Sequence, residues 1–469
     1  MNSSEHKSFK TILADIMLQT VPSYANKIYY SMGFLSMTAL LILIISGSVM
    51  VFMGPDWWLT NSFGVFVRSI HLWATQAFIF FILLHLSVVF FSSGYRLSRK
   101  LTWALGALML FFALFEAEFG YGLRGDFSTQ WRTLQAADFY NGSGLGLLIN
   151  NLNYAQIYGI HIILIPLIIG GLLFLHYLLI RVRGIAKPYK ADIAVQEVKA
   201  DHKVLFIRGL ILTAVIFLLA FFFKSPLIIP TKISDIANQD QSLMASTLLD
   251  EYTHTSDTAT YVDNIAPYTY DTRKIYVEDP YAVYISLTNQ ENMLMVFNAL
   301  DKSAQQKDIK LAQAYFDNQG VLDTSTSSKN PLIPVISSLV VMGRSGLYES
   351  YLRSLQSNGF NPTYVSRFLS DTGVLEAEAQ SLNITTDQYG MIREEKGALP
   401  LGAWWLLPVG VLDHTILAND DNQDRDGALL VGFGFLFLVA VPYIPFINKI
   451  PEKLGTDKWF WKEKKKSTS

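Results

Sequence analysis

Hydrophobic positions gather in six long runs, separated by polar stretches of very unequal length. The runs cover residues 29–53, 67–92, 101–120, 156–181, 204–224 and 427–447. As helices rising about 1.5 Å per residue, each is long enough to cross about 30 Å of hydrocarbon. The pattern therefore predicts an all-α membrane protein with six transmembrane helices. Basic residues mark one side of it. Arg96, Arg99 and Lys100 follow the second run. Arg181, Arg183, Lys187 and Lys190 follow the fourth, and Lys453, Lys458 and the Lys462–Lys466 cluster follow the sixth. The positive-inside rule places these segments and both termini in the cytoplasm. The first apolar run begins near Tyr29 and is too long for the core of a cleavable leader, so none is expected.

The longest polar stretch, from Ser225 to residue 426, then falls outside the cytoplasm as an insert between the fifth and sixth spans. Between Thr231 and Lys396 it carries 21 acidic and 12 basic residues, a net charge near −9. That charge reads first as ordinary solvated surface, and second as a docking face for a basic electron carrier. Helix is expected mostly after Asn292. One helix is expected over Gln290–Lys310, where Met293, Leu294, Val296, Phe297 and Leu300 recur at helical spacing. Pro331–Ser357 mixes an apolar run with Tyr348 and Tyr351. Leu399–Leu412 is too short and Pro-broken to span, which suggests an interfacial or re-entrant piece with Trp404 and Trp405 at headgroup level. Met1–Lys27 is polar enough for an amphipathic surface helix. The organisation is thus a cytoplasmic segment 1–28, a four-helix part with its cytoplasmic loop 29–203, a fifth span 204–224, the insert 225–426, a sixth span 427–447 and a basic tail 448–469.

Four of the eight histidines lie inside two of the runs. His71 and His85 share the second, and His161 and His176 share the fourth. At 100° per residue, fourteen positions return His85 to within about 40° of His71, roughly 21 Å further along. Fifteen positions put His176 about 60° from His161. A lone membrane histidine is more often a helix–helix hydrogen bonder than a ligand. Four at matched depths on two helices point instead to iron held through one nitrogen of each opposed ring. The pairs are His71 with His161 at the outer level, and His85 with His176 at the inner level.

Composition narrows the chemistry. Apolar residues make up 51% of the chain and charged residues only 16%, against about 25% in soluble domains. There is no cysteine, which excludes iron–sulfur clusters, thioether-linked heme, thiolate zinc sites and disulfides on this chain. No nucleic-acid partner is expected.

From Tyr29 to Tyr189 the residues resemble the cytochrome b family of quinol:cytochrome c and quinol:plastocyanin reductases. Besides the histidines, the resemblance rests on Gly33 and Gly47 in the first span and Gly106 and Gly120 in the third, each pair fourteen apart. A heme edge packs against a helix only where no side chain intervenes. GYRLSRKLTW resembles the family's loop between its second and third spans, and FGYGL with Trp131 the approach to its quinol-site helix. Pro166, the gap between His161 and His176, and IRVRGIAKP look like the chloroplast-type and firmicute branch. The resemblance implies two b-type hemes in a four-helix bundle, Arg68 on a propionate of the outer heme and Trp103 on one of the inner heme. It also implies a dimeric complex in a prokaryotic plasma membrane, a Rieske iron–sulfur subunit and a c-type cytochrome as partners, and menaquinone or ubiquinone as substrate. Trp131 is the quinone-site candidate on the outer side, and Arg181, Asp201 and His202 those on the inner side.

The departures are equally specific. Arg124-Gly125-Asp126 stands where the family has Pro-Trp-Gly, and Gln156 where it has an arginine. The Pro-Glu-Trp-Tyr motif, whose glutamate takes a quinol proton in the family, is absent. Pro55-Asp56-Trp57-Trp58 lies in the wrong loop and reads as an interfacial anchor. Asp56, Asp126 and Glu278 are the outer-side carboxylates that topology offers as substitutes. Only the tail IPFINKIPEKLGTDKWFW is similar to the C-terminal ends of some bacterial members. The cysteine that holds an extra heme in the chloroplast-type branch is missing. The implied function is a di-heme subunit of a quinol-oxidising respiratory complex coupled to proton translocation. The alternatives are a membrane anchor wiring a periplasmic enzyme to the quinone pool without bifurcation, and a non-catalytic scaffold.

Overall fold

The structure, a computed structural model, describes residues 20–186, 197–260, 271–318, 321–355, 363–382, 384 and 402–461. Lys187, Lys190, the Lys462–Lys466 cluster and most of the Met1–Lys27 segment lie outside these. Among the described residues, six helices are long and apolar enough to cross a membrane. We name them with one further helix in chain order: α1 Met32–Met53, α2 Ser62–Phe91, α3 Lys100–Gly122, α4 Phe127–Gly142, α5 Tyr154–Arg183, α6 His202–Phe222 and α7 Gln423–Ala440. All but α4 are candidate spans.

Local chemistry sets the helix ends. Gly54, at φ +80°, stops α1 in a conformation open mainly to glycine, and Pro55 starts the next short helix where its missing N–H costs nothing. Asn61 caps α2 by accepting from the amides of Phe63 and Gly64. Asp126 caps α4 and Asp201 caps α6 in the same way. The sixth span was expected over 427–447. It begins four residues earlier and ends at Ala440, because Pro442 cannot continue it.

α1 packs along α2, α5 along α3, and α2 also touches α3, so the two helix pairs close into a four-helix bundle. α6 lies against α1 and α2, while α7 lies against α3. On the side away from the insert, Thr20–Pro22 (β1) pairs antiparallel with Glu197–Lys199 (β2). That small sheet replaces the surface helix expected at the end of the N-terminal segment.

The insert is helical well before Asn292, beginning at Ile233. Its centre is Leu332–Arg344, in which Leu332, Val335, Ile336, Leu339 and Val340 are fully buried. The helix expected over Gln290–Lys310 is two, Met293–Asn298 and Lys302–Asp317. Asp301 caps the second by accepting from the Ala304 amide. Pro331–Ser357 likewise breaks at Gly346, at φ +78°.

The insert does not hang from a tether. Phe127, Leu134 and Ala137 of α4 belong to its hydrophobic core. The Phe127 amide donates to the Ile228 carbonyl at 2.9 Å, and the Gln130 side chain bonds the Thr231 backbone in both directions, at 2.8 and 2.9 Å. The chain leaving α6 is thereby pinned onto α4.

Candidate functional site

α2 and α5 bring His71 and His161 together with ring centroids 6.3 Å apart and ring planes 73° from parallel. Two imidazoles bound to one metal through nitrogens roughly 2 Å from it would leave their centroids roughly 6 Å apart. The observed spacing fits an iron between them. The Nδ1 of each ring is already engaged. That of His71 lies 2.9 Å from Ser46 Oγ on α1, and that of His161 lies 3.1 Å from both the carbonyl oxygen and Oε1 of Glu116 on α3. With Nδ1 occupied, Nε2 is the nitrogen left to each ring for a ligand bond. His85 and His176 are close enough to interact electrostatically at the other level.

Each of the four glycines faces one of the four histidines. A Cβ on Gly33 would lie 3.2 Å from His85 Cε1, on Gly47 3.2 Å from His71, on Gly106 3.4 Å from His176 and on Gly120 2.8 Å from His161. The glycines therefore make room first for the imidazole rings.

The two histidine spacings, fourteen and fifteen residues, are reconciled inside α5. Ile160–Leu164, which carries His161, forms a π-helical turn just ahead of Pro166. A π turn takes up one extra residue without advancing the helix, so fifteen positions act as fourteen. An unbroken α-helix was the assumption behind the predicted 60° offset.

Arg68, three residues before His71, is buried. Its Nη2 donates to Asp126 Oδ2 at 3.1 Å and to the Pro226 carbonyl at 2.9 Å. Arg124 Nη2 reaches the same two acceptors at 2.6 and 2.9 Å. The Arg-Gly-Asp departure thus builds a cluster of two guanidiniums on one carboxylate, tying α2, the α3–α4 turn and the chain after α6. Trp103 Nε1 donates to the Leu438 carbonyl of α7 at 2.6 Å, and its ring packs on Tyr95.

Across α3 from the His71–His161 pair lies a cavity of about 470 Å³, within the usual range for a small-molecule site. α3, α4, α7 and the stretch around Trp405 wall it. Trp404 and Trp405, expected at headgroup level, pack against the helices of the bundle. Trp404 Nε1 donates to Gln76 Oε1 on α2 at 2.7 Å, and Trp405 is buried beside Tyr121, Ala117 and Ile79. The piece packs against the side of the bundle.

The predicted quinone residues separate. Trp131 lines this cavity. Arg181 is exposed at the far end of α5, and Asp201 is committed to capping α6 and to Asn26, whose Oδ1 accepts from the Asp201 amide at 3.1 Å. His202 opens α6 beside it. Of the substitute carboxylates, Asp56 is exposed on the short helix after α1, Asp126 is held by the two arginines, and Glu278 lies in the insert; none lines the cavity. Two carboxylates that do, Glu118 and Asp138, were missed. Glu118 was hidden within an apolar run and Asp138 lies outside any motif. Gln156, in place of arginine, fixes the preceding loop through the Asn150 amide and the Leu148 carbonyl.

Known proteins bear on this geometry. The family profile described as cytochrome b(N-terminal)/b6/petB matches residues 76–235, a range that holds His85, His161 and His176 and starts just after His71. Cytochrome b6 of Gracilaria tenuistipitata var. liui is 27% identical over 206 residues, 39% of this chain and 95% of that protein. Cytochrome b6 of Heliobacterium modesticaldum is 28% identical over 199 residues, 38% of this chain and 93% of that protein. A chain of the solved structure described as Hyperthermophilic respiratory Complex III aligns over 79% of this chain and 98% of its own, at 16% identity and a TM-score of 0.39. Through its N-terminal, four-helix part, this chain is similar to the cytochrome b family.

Proposed function

We propose that the chain is the di-heme cytochrome b subunit of a quinol-oxidising respiratory complex, passing electrons across a prokaryotic plasma membrane and coupled to proton translocation. The observation that carries this reading is the pair of opposed histidines at each of two depths, with a glycine behind every ring. When bound, b-type hemes would supply one-electron carriers at both depths. The residues present fit them: two axial nitrogens per level, rings half-buried between the helices and no intervening Cβ. Ser46 and Glu116 hold the two outer imidazoles in one tautomer. The cavity across α3 from the outer pair offers a quinol site, and Arg181 and His202 stand at the edge where a second quinone would take up protons. With no cysteine on the chain, a Rieske-type subunit and a c-type cytochrome would carry the remaining centres in a homodimeric assembly.

A second reading, a quinone-linked anchor for a periplasmic enzyme without bifurcation, draws on the missing Pro-Glu-Trp-Tyr motif and on most of the insert lying beyond the family match, which ends at residue 235. Pyridine hemochrome counting and potentiometric titration of the purified complex test the central claim. Two b hemes are expected, with His71→Ala losing one and His85→Ala the other; one heme or none in the wild type would sink it. Bifurcation is tested by whether quinol reduces heme b faster when the high-potential acceptor is oxidised.

A further inference from the structure

The outer cavity has a substrate-sized volume and lacks the family's proton-accepting motif, so its own carboxylates need an account. We propose that Glu118 is the group that takes a hydroxyl proton from hydroquinone in this cavity, an assignment that rests on the quinol-oxidising reading above. Glu116 and Gly120 of α3 face His161. Glu118, 200° round the helix from each, points the other way, into the cavity with Leu114, Phe115 and Tyr121. A ring resting on Glu118 is therefore one helix thickness, about 10 Å, from the His161 imidazole. The rest of the wall is largely aromatic and aliphatic, and at the α7 side it includes Phe433 and Leu436, both exposed on the span's outer surface. A lipid-soluble substrate can enter there.

The charge of Glu118 is felt across the cavity. Tyr140 of α4 has its phenol held well above the ordinary range, first by burial and then by the Glu118 carboxylate. The other ionisable groups facing the cavity are Arg132 and Asp138 from α4, Tyr121 from α3 and Arg425 from α7. Asp138 sits on α4, across the cavity from the helix that touches His161. In the step proposed, the hydroquinone O–H bond breaks, its proton bonds to a Glu118 carboxylate oxygen and its electron pair stays on the substrate oxygen. The resulting monoanion, more readily oxidised than the neutral form, is stabilised by Arg132 and Arg425. The two electrons then leave to the one-electron carriers of the complex. Neither residue number nor motif shows this in the sequence, since a glutamate in a span reads as an interruption.

The test is stopped-flow reduction of heme b by decylubiquinol or menadiol in the purified complex, across pH 5.5 to 9. Glu118→Gln should retain both hemes and their reduction by dithionite. It should reduce the quinol rate at least about 100-fold and flatten its rise with pH, the usual scale for losing a positioned base. Glu118→Asp should restore part of the rate. A wild-type rate in E118Q, or the same loss in Asp138→Asn instead, would overturn the assignment while leaving the quinol-oxidising reading intact. If E118Q fails to assemble, E118D decides: a slowed rate with a displaced pH limb supports the proposal, and wild-type behaviour refutes it. A wild-type complex that holds both hemes and is never reduced by quinol removes the reading and this assignment with it.

Discussion

Raising the pH should weaken the insert, because its core sets two carboxyls, Glu251 and Asp371, against each other and burial favours a proton between them. Glu251 is fully buried; its Oε2 accepts from Ser256 Oγ at 2.7 Å, and its remaining oxygen faces Asp371. Asp371 Oδ1 accepts the Thr258 amide at 3.1 Å. Burial, and then the neighbouring Asp371, push Glu251 far above the usual carboxylate range; burial raises Asp371 as well. A folded-state pKa above the unfolded one means that the folded protein keeps a proton the unfolded chain releases. The stabilisation is complete below the unfolded value, near 4.5, and is lost as pH rises toward the folded value. Within that window the loss is about 1.4 kcal/mol per pH unit. For a domain of this size that corresponds to roughly 3–6 °C in Tm per unit. Differential scanning fluorimetry of the purified full chain from pH 5 to 8 should show this slope in the unfolding of the insert. Glu251→Gln mimics the protonated form, with its amide nitrogen donating to Asp371 and its oxygen accepting from Ser256. It should match the wild type near pH 5 and exceed it by a few kcal/mol at pH 8. A wild-type stability that is flat or rising over the window, or an unchanged slope in E251Q, would refute the shared proton.

Two further outcomes follow from packing. Gly120→Ala should cost the outer heme and spare the inner one, because its Cβ would stand 2.8 Å from His161 Cε1 and push the ring off its Glu116 contacts; heme counting against Gly106→Ala, where the distance is 3.4 Å, should show the graded effect. Asp126→Ala leaves Arg68 and Arg124 buried with their shared carboxylate gone, and should destabilise the complex by about 3–5 kcal/mol, read as a lowered Tm. An added Arg124→Leu should recover much of that loss.

The bundle was legible because membrane helices announce themselves by length, and the paired histidines by repeating at helical spacing. His71, His85, His161 and His176 needed only the geometry of a helix to be paired. What stayed hidden depended on contacts between distant segments. Asp126 offered no sign that Arg68 and Arg124 would converge on it. Glu118 and Asp138 acquired meaning only when Trp405 and α7 closed the fourth side of a cavity. The helix break at Asp301 was available as a capping signal, but the apolar spacing of Met293–Leu300 outweighed it. Trp404 looked interfacial because tryptophan usually is; its partner Gln76 lies 328 residues away in sequence.

α4 has a double membership that bears on how the molecule responds to load. Its Phe127 and Leu134 are part of the insert's interior, while Trp131 and Tyr140 form one side of the cavity across α3 from the outer histidines. A rigid rod fixed in both places has no slack. A load placed on the insert would therefore be felt at the cavity wall through the same helix, as a key turned at one end of a shaft moves the bolt at the other.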